Sequence, residues 1–291
     1  MAQATSPTRI TITGDPGSGK STFARNVAEK LGCQLITTGN MFRELAAKKG
    51  ITVTELNQLA ESKKEIDDYV DNFLRDLNNN KEDLILDSRM AWHFVQDAFK
   101  VRLSVDPEIA IDRISSDDQT PLREKFPDLA TATQQVVDRK ASEVTRYARV
   151  YGVDISCAEN FDLVIDTSLI SPHDVMDVFR FSFERYQKKL QTPSLWVSPR
   201  LILPQKMADP SANQFNFEDM VKAPIRAIRN GSKLICLGDD ALLAGAITHG
   251  TPLVAVQIAH ENPTPLNFDL IDDWENRYHF IFPVHMKKQV E

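Results

Sequence analysis

At 291 residues the chain has room for two domains of roughly 150 residues each, and 42% apolar residues with 11 glycines is an ordinary globular composition, excluding a disulfide-stapled module and a disordered tail. Lys and Arg number 34 against 41 Asp and Glu, and the resulting net charge of −7 excludes a whole-chain basic footprint for nucleic acid or anionic membrane. Cys33, Cys157 and Cys236 are odd in number and widely spaced, matching neither a disulfide framework nor a zinc-ligand pattern. With no apolar run near the roughly 18 residues of a membrane span, and no charged-then-apolar leader, the expectation is a cytoplasmic protein.

Residues 9–13 read RITIT, a β-branched strand that runs into a glycine-rich turn, and apolar residues then recur at helical spacing over 21–31. Further strands are expected over 34–36, 83–87, 100–104 and 162–166, with helical patterns in each gap. That alternation predicts an α/β fold, a doubly wound parallel sheet covered by helices on both faces. Ser171, with Pro172 at the first helical position, opens a helix expected to run to about residue 190. Pro193, Pro199, Pro204 and Pro210, interleaved with Ser, Thr and Asn, mark 191–213 as linker-like. Beyond it, 201–203, 233–237, 253–258 and 278–282 are strand-like, and 217–229 and 239–249 helix-like. The predicted domains are therefore 1–190 and a small α+β domain over 191–291, with net charges of −5 and −2.

The strongest motif is Gly14-Asp15-Pro16-Gly17-Ser18-Gly19-Lys20-Ser21-Thr22, which fits G-x-x-x-x-G-K-[ST] between a predicted strand and a predicted helix. Glycines allow successive backbone N–H groups to converge on phosphate oxygens, and the helix that follows turns its positive end toward the same anion. Lys20 is expected to reach the β- and γ-phosphates of a nucleoside triphosphate, and the Ser21 hydroxyl to ligate Mg²⁺.

The acceptor is sought past the next strands. Gly39, Phe42 and Arg43 lie in TTGNMFRE, where an arginine early in a new helix is placed for an anionic acceptor at the carboxyl edge of the sheet. Asp87 closes the third strand, as an acid that orients Mg²⁺ water does, and Arg89 is expected to point into the same cleft as Arg43. Trp92 has two readings, an aromatic lining for the acceptor base or a core residue. A polar loop over 115–129 precedes a helical run in which Arg139, Glu143, Arg146 and Arg149 share a broad face. This run is either a mobile arginine-bearing lid over the transferring phosphate or a solvated helix with Arg139–Glu143 pairing.

GDPGSGKST, TTGNMFRELA, LDSRMAW, RKASEVTRYARVYGVDI and FDLVIDTS occur in the order and spacing of the short, archaeal-type cytidylate kinases, which the chain resembles over about residues 8–187. The resemblance implies a P-loop nucleoside monophosphate kinase with ATP as donor, CMP or dCMP as acceptor and Mg²⁺ between them. It also implies Arg43 and Arg89 as acceptor-phosphate ligands and Arg139 and Arg146 as catalytic lid arginines, with Tyr147, Tyr151 and Gly152 completing the lid motif. The chain departs from the family pattern in reading Asp87-Ser88-Arg89 where E-G-R is usual, and 63–73 carry no arginine or glutamine, which leaves the acceptor base open. Residues 201–204, 224–225, 231–246 and 251–256 resemble a ParB/sulfiredoxin-like domain. There, however, Asp239 and Asp240 follow Gly238 in place of phosphate-touching residues, and Asp239 is expected to cap the helix after it. Two other readings stand beside cytidylate kinase activity. One is transfer to another nucleotide, a nucleoside or a small alcohol, with Asp87 as base; the other is an ATP-gated module contacting a protein partner, or a second copy, through the C-terminal domain. Nucleic acid is not an expected partner.

Overall fold

From Ile10 onward, strand β1 (Arg9–Gly14) is buried on both faces, as a central parallel strand must be. Helix α1 (Lys20–Leu31) buries Phe23, Ala24, Val27 and Ala28, one helical stripe, and stops at Gly32, whose left-handed backbone lets its N–H bond back to the last turn. β2 (Gln34–Thr37), α2 (Thr38–Lys49), α3 (Lys64–Asp76), β3 (Leu84–Asp87), α4 (Ala91–Phe94), β4 (Phe99–Ser104), α5 (Pro107–Ser115) and α6 (Leu129–Tyr151) follow. This is a computed structural model, and it describes residues 7–51, 56, 64–115, 129–212, 215–231, 233–260 and 267–287. The expected polar lid loop falls almost entirely on 116–128, outside the described residues, and of Phe42 and Arg139 only the backbone is described.

The chain divides into two compact units, Met1–Asp162 and Leu163–Glu291. In the first, the strands lie in the order β2-β3-β1-β4, all parallel, with Ile12 opposite Asp87 and Thr37 also opposite Asp87. The chain leaves β1 toward one side and returns to the other after β3, so the crevice beyond the carboxyl ends of β1 and β3 is the topological switch point where ligands of such sheets bind. Val70, Leu74, Leu77, Leu84, Leu86, Met90 and Phe94 form a core cluster under this edge, and Tyr147 and Tyr151 seat α6 against it.

The second unit carries β5 (Leu163–Asp166), α7 (Pro172–Gln187), β6 (Leu195–Val197), β7 (Ile202–Leu203), α8 (Phe217–Lys222), β8 (Ile225–Asn230), β9 (Lys233–Cys236), α9 (Asp240–Thr248), β10 (Val254–Ile258), α10 (Phe268–Tyr278) and α11 (Val284–Lys287). Its strands run β5-β6-β10-β8-β9-β7 with mixed directions. Strand β5 and helix α7, placed before residue 190 in the sequence division, group here with the chain that follows, since β5 pairs with β6. Ser171 caps α7 with a reciprocal Asp174 bond, as its sequence predicts.

Three expectations change. The helix expected over 217–229 ends at Lys222, because Ala223 precedes Pro224 and is driven out of the helical region; the rest is β8. Residues 278–282 are not a strand, and Tyr278 instead ends α10. Asp239 makes no cap bond to α9: its carboxylate accepts from the Arg226 N–H at 2.8 Å, while buried Asp240 accepts from the Gln205 N–H at 2.7 Å. Both acids serve to tie loops of this unit to α9.

Candidate active site

The loop between β1 and α1 is folded around two glycines that tolerate no side chain. A Cβ on Gly14 would stand 2.6 Å from the Leu103 carbonyl oxygen, and one on Gly17, where φ is +76°, would stand 2.7–2.9 Å from Ala110 on α5. Asp15 N–H donates to the Leu103 carbonyl at 3.0 Å and Ser18 N–H to the Asp15 carbonyl at 3.2 Å, fixing the loop on β4 and on itself. Gly19 occupies the N-cap of α1, so no side chain caps the helix, and no acid stands in its first turn. The first N–H groups of α1 are thus left for an anion in the loop, the arrangement of a phosphate cradle.

Lys20 ion-pairs with Asp87, which the β1–β3 register sets at the neighbouring strand end and which is 5% exposed. Ser21 and Thr22 follow on the exposed side of α1. A hydroxyl and a carboxylate are hard oxygen donors of the kind Mg²⁺ takes, so Ser21 and Asp87 fit the metal expected there.

Past β2, the Thr37 hydroxyl caps α2 by accepting from Asn40 N–H at 3.2 Å, which sets Arg43 one turn into the helix. Arg43 is exposed and bonded to the Asn40 side chain, and a Cβ added at Gly39 would stand 3.9 Å from the Arg43 Nη1. Past β3, the Ser88 N–H donates to the Ile12 carbonyl, and the Arg89 carbonyl accepts from the Trp92 indole at 2.9 Å and from the Thr13 hydroxyl at 3.4 Å. The backbone of Arg89 is thereby pinned while its guanidinium ion-pairs with Glu143 of α6. Trp92 itself is 4% exposed and packs on Phe161 at 5.0 Å between ring centroids. Of its two readings the structure supports the core one: the ring has no face left for a base, and Trp92 acts on Arg89 through the backbone. Arg146 stands half-buried on α6, and Arg149 is exposed.

The sequence reading named Asp15 and Glu143 but not their partners, and it did not single out Arg102 or Lys140. Asp15 is buried within the loop, and its carboxylate is shared by Arg102 of β4 at 2.9 Å and Lys140 of α6 at 2.8 Å. Arg102 also donates to the Ile155 carbonyl at 2.7 Å, tying the segment after α6 to the same point. Glu143 ion-pairs with Arg89, while the side chain of Arg139, its expected helical partner, lies outside what the structure describes. Arg102 had a signal in the sequence, a charge in the apolar strand FKVRLS, which once buried has to find an opposite charge. Lys140 had none, and the helical spacing that singled out Glu143 could not show its pairing with Arg89, since on an exposed-looking helix nothing distinguishes either residue from a solvated charge. His93, beside this core, is held below the ordinary histidine range by burial and by the neighbouring Arg75 and Lys100 cations.

A parallel 2-3-1-4 sheet with a phosphate cradle after its first strand, and arginines past its second and third, defines a P-loop kinase of the nucleoside monophosphate class. The chain belongs to the Cytidylate kinase-like family, whose model matches residues 9–169. It is 36% identical over 171 residues to a cytidylate kinase of Archaeoglobus fulgidus, covering 58% of this chain and 91% of that one, and 33% identical over 171 residues to a cytidylate kinase of Sulfurisphaera tokodaii, again covering 58% and 91%. It is also 34% identical over 182 residues to an S-adenosylmethionine-dependent nucleotide dehydratase of Lacinutrix mariniflava, covering 62% of this chain and 36% of that one. Residues 170–291 lie outside the family match. Among the described residues no helix is long and apolar enough to cross a membrane.

Proposed function

We propose that the protein transfers the γ-phosphoryl group of ATP to CMP or dCMP. The observation that carries this reading is the meeting of the β1–α1 cradle and Lys20 with Asp87 and Arg89 at adjacent strand ends. Backbone N–H groups of the loop and the amino end of α1 bind the donor phosphates, and Lys20, exchanging Asp87 for phosphate oxygens, holds the transferring group. Ser21 and Asp87 would hold Mg²⁺, whose charge offsets that of the phosphates. Arg43 and Arg89 fork onto the acceptor phosphate, and Arg146, with Arg139, balances the charge that spreads over the transferring group.

An acceptor phosphate is already ionised, so the reaction needs positioning and charge rather than a strong base. Asp87, engaged by Lys20, is poorly placed to take a proton from an alcohol, which favours a phosphate acceptor over a hydroxyl. The donor and acceptor assignments draw on the relatives named cytidylate kinase, together with this arginine placement.

The test is a panel: the full chain with ATP and Mg²⁺, and CMP, dCMP, UMP, AMP or GMP in turn, following ADP and the nucleoside diphosphate together. CDP or dCDP formation well above the others is expected, and Lys20→Met should reduce it by about 10²-fold or more with the fold retained. Inertness of every monophosphate would overturn the acceptor assignment, and near-normal turnover by Lys20→Met would overturn the mechanism.

A further inference from the structure

A carboxylate is an unfavourable occupant for a loop that gathers phosphate oxygens, because it adds like charge beside the ligand. Asp15 is nonetheless the second residue of the loop. Its backbone N–H and carbonyl hold the loop in shape, and its carboxylate is 8% exposed. Arg102, 7% exposed and bonded also to the Ile155 carbonyl, is a fixed partner on one oxygen. With Arg102 alone the cluster is neutral. The second oxygen is held by Lys140, which is 39% exposed, reaches in from α6 at 2.8 Å, and turns the cluster net positive. Lys140 lies one turn before Glu143, the residue paired with Arg89, so a single helical face touches both the donor loop and the acceptor arginine.

We propose that Lys140 is a positioning residue for the donor: anchored on the loop by Asp15, whose charge Arg102 already balances, its ammonium group makes the cradle electropositive where the donor phosphates bind. This rests on the reading of the loop as the donor site. Arg102 is buried on β4, whereas Lys140 reaches the loop from α6 and is partly exposed.

The experiment is calorimetric titration of the full chain with ATP and Mg²⁺, comparing the unaltered protein with Lys140→Met, Lys140→Arg, Asp15→Asn and Asp15→Asn/Lys140→Met. Lys140→Met is expected to weaken ATP binding about 2- to 5-fold, the range for a partly exposed charge. Lys140→Arg should restore it to within about twofold, because the charge is kept. In the Asp15→Asn background, removing Lys140 should change affinity by less than about twofold, since no carboxylate remains to hold the Lys140 ammonium on the loop. A helix brace without this electrostatic role would lower the melting temperature while leaving ATP affinity unmoved, and that result overturns the proposal. A loss of equal size with and without Asp15 overturns it as well. If the unaltered protein fails to bind ATP, the donor-site reading itself falls, an outcome separate from either of these.

Discussion

Gly17 and Gly19 share a left-handed backbone, with φ of +76° and +79°, yet only Gly17 is pressed against another element. Replacing either by alanine costs about 1–2 kcal/mol for placing a Cβ in that conformation. At Gly19 that is the whole structural cost, since nothing lies within 4 Å of the added carbon. At Gly17 the carbon would meet the Ala110 carbonyl oxygen at 2.7 Å and its Cα at 2.8 Å, both backbone atoms of α5 that cannot swing aside, adding about 1–3 kcal/mol of overpacking. Gly17→Ala should therefore melt below Gly19→Ala by about 2–12 °C, using 2–4 °C per kcal/mol for a domain of this size. The assay is thermal unfolding of the ligand-free chain followed by circular dichroism. Equal melting temperatures for the two variants would refute the claim that the loop is built against α5.

Two further outcomes follow from the same geometry. Glu143→Gln removes the anion that occupies Arg89, so the KM for the acceptor should fall roughly 2- to 5-fold in steady-state assays at saturating ATP. A rise in that KM would mean that Glu143 aims Arg89 rather than competing for it. His93 titrates below its unfolded value because burial, Arg75 and Lys100 oppose its charge, so the unfolded chain binds the extra proton more readily. Stability contributed by neutral His93 is complete above about pH 6.5 and is lost as the pH falls below it. Melting temperatures between pH 7.5 and 5.5 should accordingly drop further for the unaltered protein than for His93→Gln, and parallel curves would refute this.

By itself the sequence determined the parts whose causes are local. A β-branched run, a glycine-rich turn and a helical stripe specify β1, the cradle and α1, because strand pleat, positive φ and helix periodicity are all written within a few neighbouring residues. Alternation of strands with helical segments likewise made the parallel sheet legible, and with it the edge at which Lys20, Arg43, Asp87 and Arg89 would appear. In the C-terminal part the signals were weaker: the strand Leu195–Val197 is only three residues long and lies in a proline-rich stretch, and the helix Phe268–Tyr278 went unread while a strand was expected over 278–282, where the helix ends. Only the tertiary structure decided which charges meet. Asp15 and Lys140 are 125 positions apart, Arg89 and Glu143 more than fifty, and no periodicity encodes a partner that distant. Trp92 shows the same limit in reverse. Its indole had both a ligand-facing and a core reading from local sequence, and it packs inward on Phe161, far along the chain.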